Sequence, residues 1–189
     1  MKSKRKTGCF AVILFLLVIG AFFCIGPIRD CVYRALYPCK FSQLVEEACE
    51  KERLPPSLVY AVIKNESSFR PDAVSSVGAR GLMQLTEETF EWVRGRMGSE
   101  ETFEDMFDPE VNIRYGTYLL SVLLSEFGSQ QNALCAYHAG WGSVKKWLAD
   151  PNYSPDGHQV ETIPFADTDY YVDKVQKTAA IYQELYSIP

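Results

Sequence analysis

Residues 7–28 carry no charge: after Lys2, Lys4, Arg5 and Lys6 the next charged side chain is Arg29, and 10–25 is apolar apart from Gly20. As a helix these 22 residues span ~33 Å, enough to cross a hydrocarbon core of ~30 Å. The basic residues ahead of the run hold the N-terminus in the cytoplasm and send the rest of the chain outward. A cleaved signal peptide has a similar layout, but Phe22, Phe23 and Cys24 stand where its small residues would be. The expected organisation is therefore a basic tip and transmembrane anchor over 1–29, a tether over 30–40 and one extracytoplasmic domain over 41–189. Fully extended, the stretch 29–40 reaches no more than ~40 Å, so the domain is expected to stay close to the membrane.

Charge divides at the same border. Five basic and no acidic residues lie in 1–29, which leaves 14 basic against 24 acidic in the remaining 160. That balance excludes a nucleic-acid binder, which needs a basic face. Outside the anchor stand Cys31, Cys39, Cys49 and Cys135. Four thiols allow three pairings, and no C-x-x-C spacing speaks for zinc. The alternative for Cys49 and Cys135 is a small buried hydrophobe.

Beyond the tether the apolar residues recur at helical spacing, and the expected fold class is all-α. Phe41, Leu44, Val45, Ala48 and Cys49 share one face of a helix that Pro55 and Pro56 bring to an end near Arg53. The same prolines suit the first turn of the next helix. There Leu58, Val62 and Glu66 fall four apart, and Pro71 places Glu66 in the last turn. Thr86 is expected to cap a helix ending at Gly98, and Asp108-Pro109-Glu110 to open another ending before Gly128. Shorter helices over 132–137 and 143–149, a loop over 150–162 and a last helix over 168–186 complete the reading. No alternating strand pattern and no internal repeat occurs.

The stretch 66–89 carries the chemistry. Glu66 ends an apolar ridge, where desolvation and the negative end of the helix dipole both raise a carboxyl pKa. A loop with Gly78 and Gly81 follows, then Gln84 inside an apolar run. This is the setting for a general acid beside a ligand groove. His138 and His158, twenty residues apart, make neither a metal site nor a triad with a recognisable nucleophile. No phosphate-cradling or nucleophile-elbow motif is present. The expected cofactor and metal requirement is none.

Glu66-Ser67-Ser68-Phe69-Arg70-Pro71, with Ala73, Ser75 and 78–85 (GARGLMQL), resembles the first motif of soluble lytic transglycosylase domains, whose fold is similar to goose-type lysozyme. Ala136-Tyr137-His138-Ala139-Gly140 resembles their second motif, and 163–168 (IPFADT) followed by Tyr171-Val172 their third. The resemblance runs from about Phe41 to Leu185. It implies cleavage of the β-1,4 bond between N-acetylmuramic acid and N-acetylglucosamine in peptidoglycan, with closure of a 1,6-anhydro ring and no water. It also implies that Glu66 is the single acid/base, and a pKa near ~6 would serve both of its tasks.

By the same resemblance Ser75 and Gln84 contact substrate, Met83 walls the groove, Tyr137 faces Glu66 with its hydroxyl, and Tyr171 is the third-motif tyrosine. Each has a plainer alternative: a loop cap for Ser75, an internally partnered amide for Gln84, core packing for Met83 and a core role with a polar tip for Tyr171. Two residues depart from the pattern. His138 replaces an Asn and adds a titratable ring; once protonated it would lower the pKa of Glu66, so activity is expected to fall as pH drops. Asp167 replaces a Glu and is one methylene shorter, with helix N-capping as its alternative. Two rival functions remain. One is a hydrolytic muramidase of the same fold, needing a second carboxylate from Asp72, Glu87 or Asp167. The other is a peptidoglycan-binding scaffold that has lost turnover.

Overall fold

The computed structural model describes Gly26 and residues 28–189. The chain falls into two units, one ending at Pro38 and the other running Cys39–Pro189. Of the expected anchor, all but Gly26, Ile28 and Arg29 lies outside the described residues. No helix among those described is long and apolar enough to cross a membrane. Residues 28–36 are helical, so this part of the tether does not adopt the extended form that set its longest reach.

The second unit is all-helical. Its helices are α1 (Ser42–Glu52), α2 (Pro56–Glu66), α3 (Glu87–Met97), α4 (Pro109–Phe127), α5 (Gln130–Ala139), α6 (Trp141–Leu148) and α7 (Ala166–Tyr186). No strand occurs among the described residues; the nearest things are isolated bridges from Arg80 to Val74 and to Leu85. The expected stops are found at Arg53, Gly98 and Gly128, all left-handed. Glycine adopts that conformation without a Cβ penalty. Asp108 caps α4 by accepting from the N–H groups of Glu110 and Val111. Both short helices prove longer than periodicity indicated. Ser129, whose side chain accepts from the Asn132 N–H, starts α5 early. One element escaped the sequence reading altogether: a 3-10 turn over Phe103–Phe107, closed by reciprocal bonds between Thr102 and Asp105.

The core is built around α2, buried from Ser57 through Ile63. Each large apolar side chain removed from water there contributes about 1.5–3 kcal/mol. α2 packs along α7, with Tyr60 stacked on Tyr182 at 5.3 Å between centroids. The Ser57 N–H donates to the carbonyl of Pro189 at 3.1 Å, fastening the chain end to the start of α2. α7 also packs on α5. It therefore brings together the end of α2 and the two later motifs, which the sequence separates by some seventy and a hundred residues. Cys49 and Cys135 are buried and free, and Cys31 is free as well; burial pushes both buried thiols up to about 12.

Candidate active site

Glu66 is the last residue of α2, where the chain turns away through Ser68 and Phe69, both at positive φ. Its Oε1 accepts a hydrogen bond from the Tyr171 hydroxyl at 2.7 Å. Burial lifts the carboxyl to about 7, against the pull of that hydrogen bond and of the Lys174 ammonium one turn further along α7. Removing water from a carboxylate penalises its charged form, and here that penalty outweighs both stabilising contacts. Glu66 is thus poised to give a proton and to take one near neutral pH.

Tyr137 was expected to orient the acid, but its hydroxyl is committed elsewhere, donating to the Met83 carbonyl at 2.6 Å. The orienting donor is Tyr171. Both phenols are held well above their ordinary pKa, by burial first and then by the Glu66 charge, so both remain neutral donors. His138 supports Tyr171 from the side: the rings stack at 4.5 Å and 27°. Its Nδ1 lies 3.0 Å from the buried Thr168 hydroxyl. Loss of solvent on that face lowers the His138 pKa, with Asp167 pulling the other way. Asp167 lies in the first turn of α7, not at its cap, and its carboxylate accepts from the Thr168 N–H at 2.9 Å.

The glycine loop is bonded within itself and to its neighbours. The Ser75 hydroxyl accepts from the Ala79 N–H at 3.0 Å. Gln84 adopts φ 49, a left-handed conformation unfavourable for a side-chain-bearing residue. Its Nε2 donates to the carbonyls of Ala73 (3.1 Å) and Gly81 (2.8 Å), tying the loop shut. The Met83 side chain has no exposed surface and fits against Gly116, where an added Cβ would lie 2.3 Å from its sulfur. Met83 is core at its side chain, and its carbonyl is what it presents to Tyr137.

Three residues that position the site were not singled out from sequence. Asn112, fully buried in α4, accepts from the Met83 N–H at 2.7 Å and donates to the carbonyls of Met106 (2.8 Å) and Arg80 (3.0 Å). Ser67 donates to the Leu82 carbonyl at 2.8 Å and joins the acid's helix to the loop. Thr168 carries the histidine. The signal for Asn112 was legible: a lone amide between Val111 and Ile113 on the apolar face of a long helix needs buried partners. Gly81 explains why the loop cannot be otherwise, since at φ 77 a Cβ would stand 2.1 Å from the Met106 carbonyl oxygen.

An acid lifted by burial at the end of a helix, with a tyrosine donating to it, is a setting for general acid–base chemistry. The Transglycosylase SLT domain family matches residues 43–159, and the chain belongs to that family. It is 32% identical over 152 residues to a soluble lytic murein transglycosylase of Escherichia coli K12, covering 78% of this chain and 23% of the relative. It is 31% identical over 169 residues to a membrane-bound lytic murein transglycosylase C of Serratia proteamaculans, covering 76% and 47%. The 70 kDa soluble lytic transglycosylase of E. coli superposes with a TM-score of 0.75 at 29% identity, over 82% of this chain and 26% of that one. An inactive mutant of the lytic transglycosylase Slt from Pseudomonas aeruginosa gives 0.72 at 34%, over 81% and 25%. The chain thus covers from 23% to 47% of the length of these relatives.

Proposed function

We propose that this protein is a membrane-anchored lytic transglycosylase that cleaves the β-1,4 bond between N-acetylmuramic acid and N-acetylglucosamine in peptidoglycan. Glu66, protonated, gives its proton to the glycosidic oxygen as the bond to muramic C1 breaks. The muramic C6 hydroxyl then bonds to C1, and the Glu66 carboxylate takes its proton. The products are a free 4-hydroxyl and a 1,6-anhydromuramic end, with the acid restored. A single group with a pKa near its working pH suffices for both transfers. The observation that carries this reading is Glu66, lifted to about 7 and held by Tyr171. Ser75, the Gln84 amide oxygen, Tyr137 and His138 line the substrate's path in this reading. Asp167, one of the three candidates for the second acid that a hydrolase needs, accepts a hydrogen bond within its own helix.

The uncharged residues 7–28 behind a basic tip support a single-pass anchor with the domain on the outer side; the membrane-bound relative supports membrane association only. The test is product analysis. The full chain, incubated with purified peptidoglycan, should release muropeptides one water lighter than hydrolysis products and inert to borohydride. Reducible ends would establish a hydrolase instead, and binding without release a scaffold.

A further inference from the structure

Residues 28–36, the helix of the first unit, are all exposed except Asp30, which is half-buried. At ~100° per residue, Ile28, Cys31, Val32, Ala35 and Leu36 share one arc of ~140°. Its three large members stand in the open: Ile28 is 63% exposed, Val32 50% and Leu36 55%. Arg29 stands at one edge of this arc, Arg34 at the other, and Asp30 opposite its centre. The Arg29 guanidinium reaches across to the Asp30 carboxylate at 3.2 Å. Tyr33 and Tyr37 lie outside the arc and stack on each other at 5.9 Å and 26°. The proton transfers at Glu66 use none of these groups.

A stalk held in water has no use for an apolar face. A segment crossing lipid upright has lipid on every side and would not carry its charges along one of them. Amphipathic helices of this kind lie in the plane of a membrane surface. The chain itself says what covers the arc, because the uncharged run 7–28 ends at Ile28. Pro27 stands at the junction, a residue that deprives a helix of one hydrogen bond and at which helices bend. A second copy is a poor fit: nine residues make a helix ~13 Å long and ~10 Å wide, against the ~800 Å² per partner of a stable interface. So short a helix is marginal alone in water, but the run before it would hold it against lipid at high effective concentration. We infer that residues 28–36 lie in the outer surface of the bilayer, the apolar arc in the acyl boundary and both arginines among the headgroup phosphates. Snorkelling suits arginines at the two edges of such an arc. The inference rests on the single-pass anchor proposed above. It leaves Tyr37 and Pro38 as the free length of chain before the second unit begins at Cys39.

The test places a nitroxide on a cysteine set in turn at each of 28–36 and at Val18. The full chain carries Cys9→Ser, Cys24→Ser, Cys31→Ser and Cys39→Ser, and sits in phosphatidylcholine–phosphatidylglycerol vesicles; Cys49 and Cys135 are buried. Power saturation compares collisions with oxygen, which concentrates in lipid, and with a water-soluble nickel chelate. The oxygen-to-nickel ratio should oscillate with a period of ~3.6 residues, several-fold higher at Ile28, Val32 and Leu36 than at Asp30 and Arg34. Val32→Glu, which puts a carboxylate in the arc, should bring a label at Leu36 into water and leave one at Val18 in lipid. A ratio that falls steadily from 28 to 36 without oscillating overturns the inference, since the helix would then be an upright stalk. Spin–spin broadening at Val32 that vanishes on dilution with unlabelled chain overturns it as well, in favour of a second copy. Val18 separates the two readings. Lipid around Val18 without oscillation removes the surface helix alone, whereas oscillation with Val18 in water removes the anchor and keeps the helix on the membrane.

Discussion

Two glutamates in this domain accept a hydrogen bond from a tyrosine hydroxyl, and their proton affinities differ widely. Glu66 receives Tyr171 at 2.7 Å and is lifted to about 7. Glu101 receives Tyr115 at 3.0 Å and is lowered to about 2. The phenol is common to both and cannot be what separates them. Glu101 lies near the surface, where its own backbone N–H, Ser99 and the Arg114 guanidinium stabilise its charge. Glu66 has only the tyrosine and the Lys174 ammonium to set against a large loss of water. Hydration decides the sign, and the tyrosine supplies orientation. The first glutamate can take or release a proton near neutral pH, and the second stays ionised beside Arg114.

Removing each carboxylate sharpens the contrast. Glu66→Gln should lower muropeptide release by about a thousandfold, the scale of a lost general acid–base, with the fold intact. The same variant should gain stability at high pH. A folded pKa above the unfolded one means stability that is complete below about 4.5 and lost as pH rises through about 7. Glutamine escapes that loss, so urea unfolding at pH 8 should favour it by about 2–3 kcal/mol, and at pH 4 by nothing. Tyr171→Phe comes next: turnover should fall about tenfold from one hydrogen bond to a charged group. The alkaline limb of its pH–rate profile should move upward, because the contact removed had stabilised the carboxylate. A limb that stays put would mean that the tyrosine orients the carboxyl without stabilising its charge.

Glu101→Gln should behave in the opposite sense. Its depressed pKa means stability present above about 4.5 and lost as pH falls through about 2. The variant should therefore melt lower at pH 7, with the gap closing toward pH 2, and turnover per folded molecule should not change. The smallest effect belongs to His138→Asn. The ring takes its proton only below the ordinary histidine range, so wild-type activity should fall on the acid side of that range. The variant should hold its rate there, by a few-fold, with little difference at pH 7.

Much of this was legible in the sequence, for local reasons. Helix ends at Arg53, Gly98, Asp108 and Gly128, and the place of Glu66, follow from proline, glycine and capping chemistry within a few residues. What escaped depends on distant partners. Which tyrosine bonds Glu66 is decided by the packing of α7 on α2, a hundred residues apart, so it is Tyr171 and not the expected Tyr137. The resemblance put Met83 in the groove wall, with core packing as the alternative; the small Gly116, thirty-three residues on, takes its side chain inward. The 3-10 turn has no hydrophobic period long enough to register. Asp167, one methylene short of the motif's usual residue, bonds to the N–H of the next residue in its own helix.

Asn112 joins the glycine loop to α4 through the backbone of Met83, Arg80 and Met106. The loop is therefore unset until α4 has docked, even though the acid and its helix lie earlier in the chain. For a protein whose proposed activity cuts the cell's own wall, this is a safety interlock. A nascent or partly unravelled chain carries Glu66 without a groove to aim it, and the blade is assembled only in the molecule that has finished folding.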